Sequence, residues 1–117
     1  MPQPKVELIG SASGSKEDST DNRLLVNRAA TGIGQDSLGS ISTTALVISS
    51  SQVCIRVEIM AHKDNAGQIY IGGNGVTAST GILLNAADVM TIEISNLNLI
   101  YAIASESGQA IQFVYFT

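Results

Sequence analysis

Residues 53–61 read VCIRVEIMA, and their alternation constrains the fold more than any other feature of the chain. Val53, Ile55, Val57, Ile59 and Ala61 fall on one face of an extended backbone. Cys54, Arg56, Glu58 and Met60 fall on the other. A side-chain period of two belongs to a strand with one face in a core; a helix cannot present it. Similar texture recurs in ISTTALVIS (41–49), QIYIG (68–72), ILL (82–84), VMTIEIS (89–95), LIYAIAS (99–105) and AIQFVYFT (110–117). Between these runs stand HKDNAG (62–67), GNGVTASTG (73–81), NAAD (85–88), NLN (96–98) and ESGQ (106–109), all rich in turn-forming residues. Short strands punctuated in this way predict an all-β chain, an antiparallel β-sandwich or jelly-roll-like fold. No helical stripe of useful length appears, and NAAD supports at most one helical turn near 85–89.

The first forty residues differ. Pro2 and Pro4 disfavour a helix and give an extended lead-in. KVELI (5–9) and RLLVNR (23–28) are short apolar runs, separated by the polar stretch GSASGSKEDSTDN (10–22). TGIGQDSLGS (31–40) reads as turn-rich. The expected organisation is an extended N-terminal arm over 1–40, with short strands and polar loops, followed by a β-sandwich core over 41–117.

Charge and cysteine usage narrow the function. Six basic residues against ten acidic ones leave a net charge of −4. The basic residues, Lys5, Lys16, Arg23, Arg28, Arg56 and Lys63, are scattered. A nucleic-acid binder concentrates such residues to displace phosphate counterions, so no nucleic-acid partner is expected. The N-terminus lacks the apolar segment of a secretory signal. No apolar run approaches the roughly 20 residues that span a bilayer, so no membrane partner is expected. Cys54 is the single cysteine, which rules out an internal disulfide and suits a reducing compartment.

The glycine-rich stretch DNAGQIYIGGNG (64–75) poses the sharpest chemical question. Gly73-Asn74-Gly75-Val76-Thr77-Ala78 has the GxGxxA spacing of a dinucleotide loop, but that chemistry needs a helix N-terminus behind it. Ser, Thr and Gly follow instead. The mechanical reading is preferred: Gly67, Gly72, Gly73, Gly75 and Gly81 serve sheet corners through positive φ, with Asn65 and Asn74 tolerating the same conformation. His62, the sole histidine, lies eight residues from Cys54 on one strand, roughly 26 Å at ~3.3 Å per residue, too far for a nucleophile–base pair. Glu58 and Glu93 are expected on exposed strand faces as neighbours across a sheet, with Arg56 beside them as an ion-pair partner. Asp18 and Asp21 in KEDSTDN resemble part of a calcium loop but lack its spaced ligands and terminal Glu. No catalytic, cofactor-binding or metal residue is assigned, no cofactor is expected, and the chain is not expected to be an enzyme. Of the aromatic residues, Phe113 and Tyr115 share one face of the last strand and Phe116 takes the other. That strand is therefore either central in its sheet or covered on its second face by another subunit.

Residues 66–117 carry a strand ending in GGNGV, then STGILL, TIEI, and NLNLIYAIASESGQ before a final aromatic strand. This series resembles small β-sandwich virion structural proteins of tailed bacteriophages, of the capsid decoration (cement) or head-fibre type. The resemblance covers a little under half of the chain and none of residues 1–45. It implies a capsid decoration protein that binds the outside of the capsid and stabilises contacts between capsid subunits. The implied partners are the major capsid protein and further copies of the chain, as a homotrimer in preference to a dimer. The implied location is the virion surface, after synthesis in the host cytoplasm. It transfers no active-site residue. A carbohydrate- or host-surface-binding module of a phage fibre or tail is the alternative, with Tyr70 and Tyr101 as its stacking residues.

Overall fold

The computed structural model describes residues 29–117. Within them the chain forms β1 (Ile33–Ile41), β2 (Leu46–Val47), β3 (Arg56–Ala61), β4 (Ile69–Gly72), β5 (Ile82–Leu84) and β6 (Val89–Ile92). A 3-10 turn at Leu97–Leu99, β7 (Tyr101–Ala104) and β8 (Gln109–Phe116) complete it. Two four-stranded sheets result, one ordered β1-β8-β3-β6 and the other β2-β7-β4-β5, with every pairing antiparallel. The chain changes sheet at every connection except the β4–β5 hairpin, which is the strand order of a jelly roll. The all-β sandwich expected from the alternation is what forms.

The core lies between the sheets. Val57, Ile59 and Ala61 enter it from β3, Ile111 and Phe113 from β8, Ile69 and Ile71 from β4, and Ala102 and Ala104 from β7. Burying each branched aliphatic side chain is worth about 1.5–3 kcal/mol relative to leaving it in water. The final strand is central, flanked by β1 and β3. Phe113 and Tyr115 point inward as the alternation requires, and Phe116 faces out.

Four local expectations are corrected. The stretch 31–40 is mostly strand, not turn: Ile33 to Leu38 pair with Phe116 to Ile111. Three glycines depress its strand signal, but Gly34 stands opposite Tyr115, whose ring occupies the space a Cβ would need. Strand pairing thus begins inside the segment assigned to the arm; the apolar runs 5–9 and 23–28 lie outside the described residues. ISTTALVIS, expected as one strand, is a corner: Ile41 closes β1, and Leu46 and Val47 pair in the other sheet with Ala102 and Tyr101. Ahead of β3 the alternation slips, so Val53 is 68% exposed and Cys54 is buried, opposite to the simple parity. The slip comes at Ile55, where the backbone bends between the Val53–Asn96 bridge and the β3 ladder. Finally, NAAD is not helical. Ala87 takes φ 70° in a tight turn closed by Asp88 N–H to Asn85 O, and the helical turn sits at Leu97–Leu99 instead.

Candidate functional site

The two outer sheet faces differ in chemistry, and the strand registers define both. On the β1-β8-β3-β6 sheet one cross-strand row holds Ile33, Phe116 and Arg56; the next holds Gln35, Val114, Glu58 and Thr91; the third holds Ser37, Gln112, Met60 and Val89. Amides, acids and apolar groups alternate here. A shallow depression runs across this face, floored by Met60, Val89 and Val114 and edged by Gln35, Glu58 and Gln112. The guanidinium of Arg56 lies 4.7 Å from the Phe116 ring centroid, a cation–π contact. Among the described residues Arg56 forms no ion pair with Glu58 or Glu93; the Lys63–Asp64 pair, at 3.2 Å, belongs to the β3–β4 turn. Glu58 faces Thr91 across the ladder, and Glu93 lies just beyond the end of β6. The two acids are exposed and share this face as expected, one step off direct opposition.

The outer face of the β2-β7-β4-β5 sheet carries no charge in its ladder. One row is Val47, Tyr101 and Gly72; the next is Ile103, Tyr70 and Leu83. Tyr70 and Tyr101 are diagonal neighbours, at a separation of roughly 7–8 Å between such positions. The β4–β5 loop folds over one end of this face. A Cβ on Gly72 would stand 2.6 Å from Val76 Cγ2, and one on Gly81 would stand 2.7 Å from the same atom. Val76 is thereby buried where the two glycines leave room. The glycine-rich segment is therefore a packing device, with no helix behind it. Of the five glycines read as positive-φ corners, Gly75 takes that conformation, at φ 85°; Gly72 and Gly81 act through close approach.

The residues weighed for chemistry do not converge. Cys54 and His62 lie beyond opposite ends of the six-residue β3. Cys54 is buried, its thiol donates to Ile94 O at 3.2 Å, and burial pushes its pKa up. His62 Nδ1 accepts the Asp64 backbone N–H at 3.1 Å and lies 3.9 Å from the Asp64 carboxylate, a local turn contact. Among the described residues no three His, Cys, Asp or Glu side chains gather as metal ligands, and no helix is long and apolar enough to cross a membrane. Asp18 and Asp21 lie outside the described residues.

Three amides matter more than sequence reasoning indicated. Asn65, read as a turn residue, donates to Ala110 O and accepts from Ala110 N, each at 2.9 Å, replacing a ladder partner at the start of β8. Gln109, read as part of a tight turn, is 3% exposed; its Oε1 accepts the Gly67 N–H and its Nε2 donates to Ser107 O. Asn96 Oδ1 accepts the N–H groups of both Gln52 and Asn98, and its Nδ2 donates to Ser51 Oγ. A buried amide cannot be told from a solvated one by residue type alone.

No family model matches the chain, and no curated protein matches it by sequence. Solved structures with a similar fold include IMPa from Pseudomonas aeruginosa in complex with an O-glycopeptide, at 14% identity and TM-score 0.48 over 76% of this chain. The chain spans 13% of that protein's length. A cupin superfamily protein from Desulfitobacterium hafniense is similar at 12% identity and TM-score 0.42, over 87% of this chain and 93% of the other. A Bacillus endospore appendage protein, from a family of disulfide-linked pili, is similar at 17% identity and TM-score 0.35, over 86% and 98% respectively. These likenesses are of β fold.

Proposed function

We propose that the chain is a structural protein of a phage particle that decorates the outside of the capsid and ties neighbouring capsid subunits together. The observation that carries this reading is the pair of unlike outer faces on one sandwich. One is neutral and apolar around Tyr70, Tyr101 and Ile103; the other is amphipathic around Met60, Val114, Glu58 and Gln112. A protein that joins subunits needs two contact surfaces on a stiff body, and individually weak contacts gain strength when symmetry repeats them. The phage-like series over 66–117 builds β4 to β8, which supply three of the four strands of one sheet and two of the four of the other. The test is to return purified protein to capsids stripped of it. Rebinding with a raised temperature of capsid disruption is expected, and Val114→Glu on the amphipathic face should weaken it. Absence of binding to stripped capsids overturns the reading.

A second reading rests on the diagonal pair Tyr70 and Tyr101, which offers two aromatic rings to one ligand. A carbohydrate- or host-surface-binding module would use them. Clear glycan-array hits that vanish in Tyr70→Ala and Tyr101→Ala would favour it.

A further inference from the structure

We propose that Asn74 is a site of slow spontaneous modification, at which the side-chain amide is lost to the following backbone nitrogen and the buried Val76 sets the pace. Asn74 is the one asparagine of the chain followed by glycine, and both residues are exposed at the tip of the β4–β5 loop. Gly75 has no side chain to shield its nitrogen, and a Cβ built on either Gly73 or Gly75 would meet nothing within 4 Å. Among the described residues the Gly75 N–H reaches no backbone acceptor. Two other asparagines make the contrast. The Asn65 amide is held by Ala110 through both its atoms, and the Asn96 amide by Gln52, Asn98 and Ser51. The residues that follow them, Ala66 and Leu97, carry side chains beside the nitrogen that would attack.

The step balances with water as its only co-reactant. The Gly75 nitrogen, its proton taken by solvent base, bonds to Asn74 Cγ. The Cγ–Nδ2 bond breaks, and the amine takes up a proton and leaves as ammonia. Water then opens the succinimide at either carbonyl, giving aspartate or a β-linked isoaspartate. The turn opposes ring closure. Gly75 at φ 85° and the Val76 N–H donated to Gly73 O at 3.0 Å are features of a type II turn, in which ψ of the second residue is about +120°. That angle carries the Gly75 nitrogen away from the Asn74 side chain, so the ring closes only after the turn opens. Val76 resists opening, because its side chain is buried in the space that Gly72 and Gly81 leave. Conversion therefore follows a local opening of the loop, short of unfolding the sandwich. Its product places a carboxylate on a loop that covers one end of the uncharged face, and the isoaspartyl form adds a backbone atom to the turn that seats Val76.

The full chain is incubated at neutral and at mildly alkaline pH and followed by peptide mapping. The fragment holding Asn74 is expected to gain about 1 Da as ammonia is released, and faster at the higher pH, because the attacking nitrogen must lose its proton. An isoaspartyl methyltransferase should label that fragment, and the whole protein should move to the acid side of its original band in isoelectric focusing. Asn74→Gln should abolish both changes. Val76→Ala should speed conversion several-fold while the fragments holding Asn65 and Asn96 stay intact, which separates a loosened loop from an unfolded chain. Hydrogen exchange at the Val76 amide of the natural chain measures the same opening without a substitution, and it should rise with temperature in step with conversion. A natural chain whose Asn74 stays intact while a peptide spanning 70–80 converts completely overturns the inference. So does conversion that is as fast at Asn65 or Asn96, or that follows neither Val76 exchange nor a folded Val76→Ala variant.

Discussion

Ala87 holds φ 70°, a conformation that an L-residue with a Cβ adopts at a cost of roughly 1–2 kcal/mol. The turn requires it: Asn85 N–H is accepted by the Asp88 carboxylate at 2.9 Å, and Ala87 N–H reaches across to Ala61 O at 2.9 Å. Glycine would remove the strain while losing about 0.5–1 kcal/mol to its freer unfolded chain. Relief is the larger effect, so Ala87→Gly should stabilise the protein by up to about 1 kcal/mol, raising the thermal midpoint by a few degrees. A lowered midpoint would show that the turn is not under strain. Sequence reading placed a turn at NAAD correctly but not its hand, because an alanine carries no signal for the left-handed region. It likewise gave Asn65 to the turn after β3 and Gln109 to the turn before β8, but a backbone partner such as Ala110 or Gly67 is set by the approach of a distant strand.

Among the elements, the β4–β5 hairpin offers the cleanest contrast. A Cβ on Gly81 would stand 2.7 Å from Val76 Cγ2 and 2.8 Å from Tyr70 Cβ, whereas a Cβ on Gly73 meets nothing within 4 Å. Overpacking of this kind costs about 1–3 kcal/mol. Gly81→Ala should therefore destabilise by that amount in a denaturant titration, and Gly73→Ala should be neutral or slightly stabilising, since it restricts only the unfolded chain. Equal effects would mean the glycines serve turn geometry alone. The strand β1 shows the reverse lesson. Its glycines obscured it, and it is ordered because β8 presents a complete hydrogen-bonding edge and Tyr115 covers Gly34. Its ladder with β8 is regular from Ile33 to Leu38 and is interrupted between Leu38 and Ile41, where Ser40 takes φ 57°.

At the scale of the molecule, one core joins the two sheets, so damage at its centre is felt everywhere. Phe113 is 3% exposed, on the central strand of its sheet, and packs in the cluster with Ile59 and Ile111. Phe113→Ala should cost about 3–5 kcal/mol, a large part of the roughly 5–15 kcal/mol by which a domain is stable. The measurement is equilibrium denaturation followed by circular dichroism, and a loss below about 1 kcal/mol would show that the two sheets are not packed through this residue. The all-β class, the inward face of β3, the shared face of Met90 and Ile92 in β6, and the exposed Glu58 and Glu93 were legible in the sequence alone. Each follows from the period of two in a chain with too few helix formers to do otherwise. The strand order, the place of β1, the burial of Cys54 and the gathering of Tyr70, Tyr101 and Ile103 on one uncharged face were decided by tertiary structure. Alternation tells which side of a strand seeks the core, but which strands become neighbours depends on contacts between residues far apart in the chain, and these exist only once the sandwich has closed.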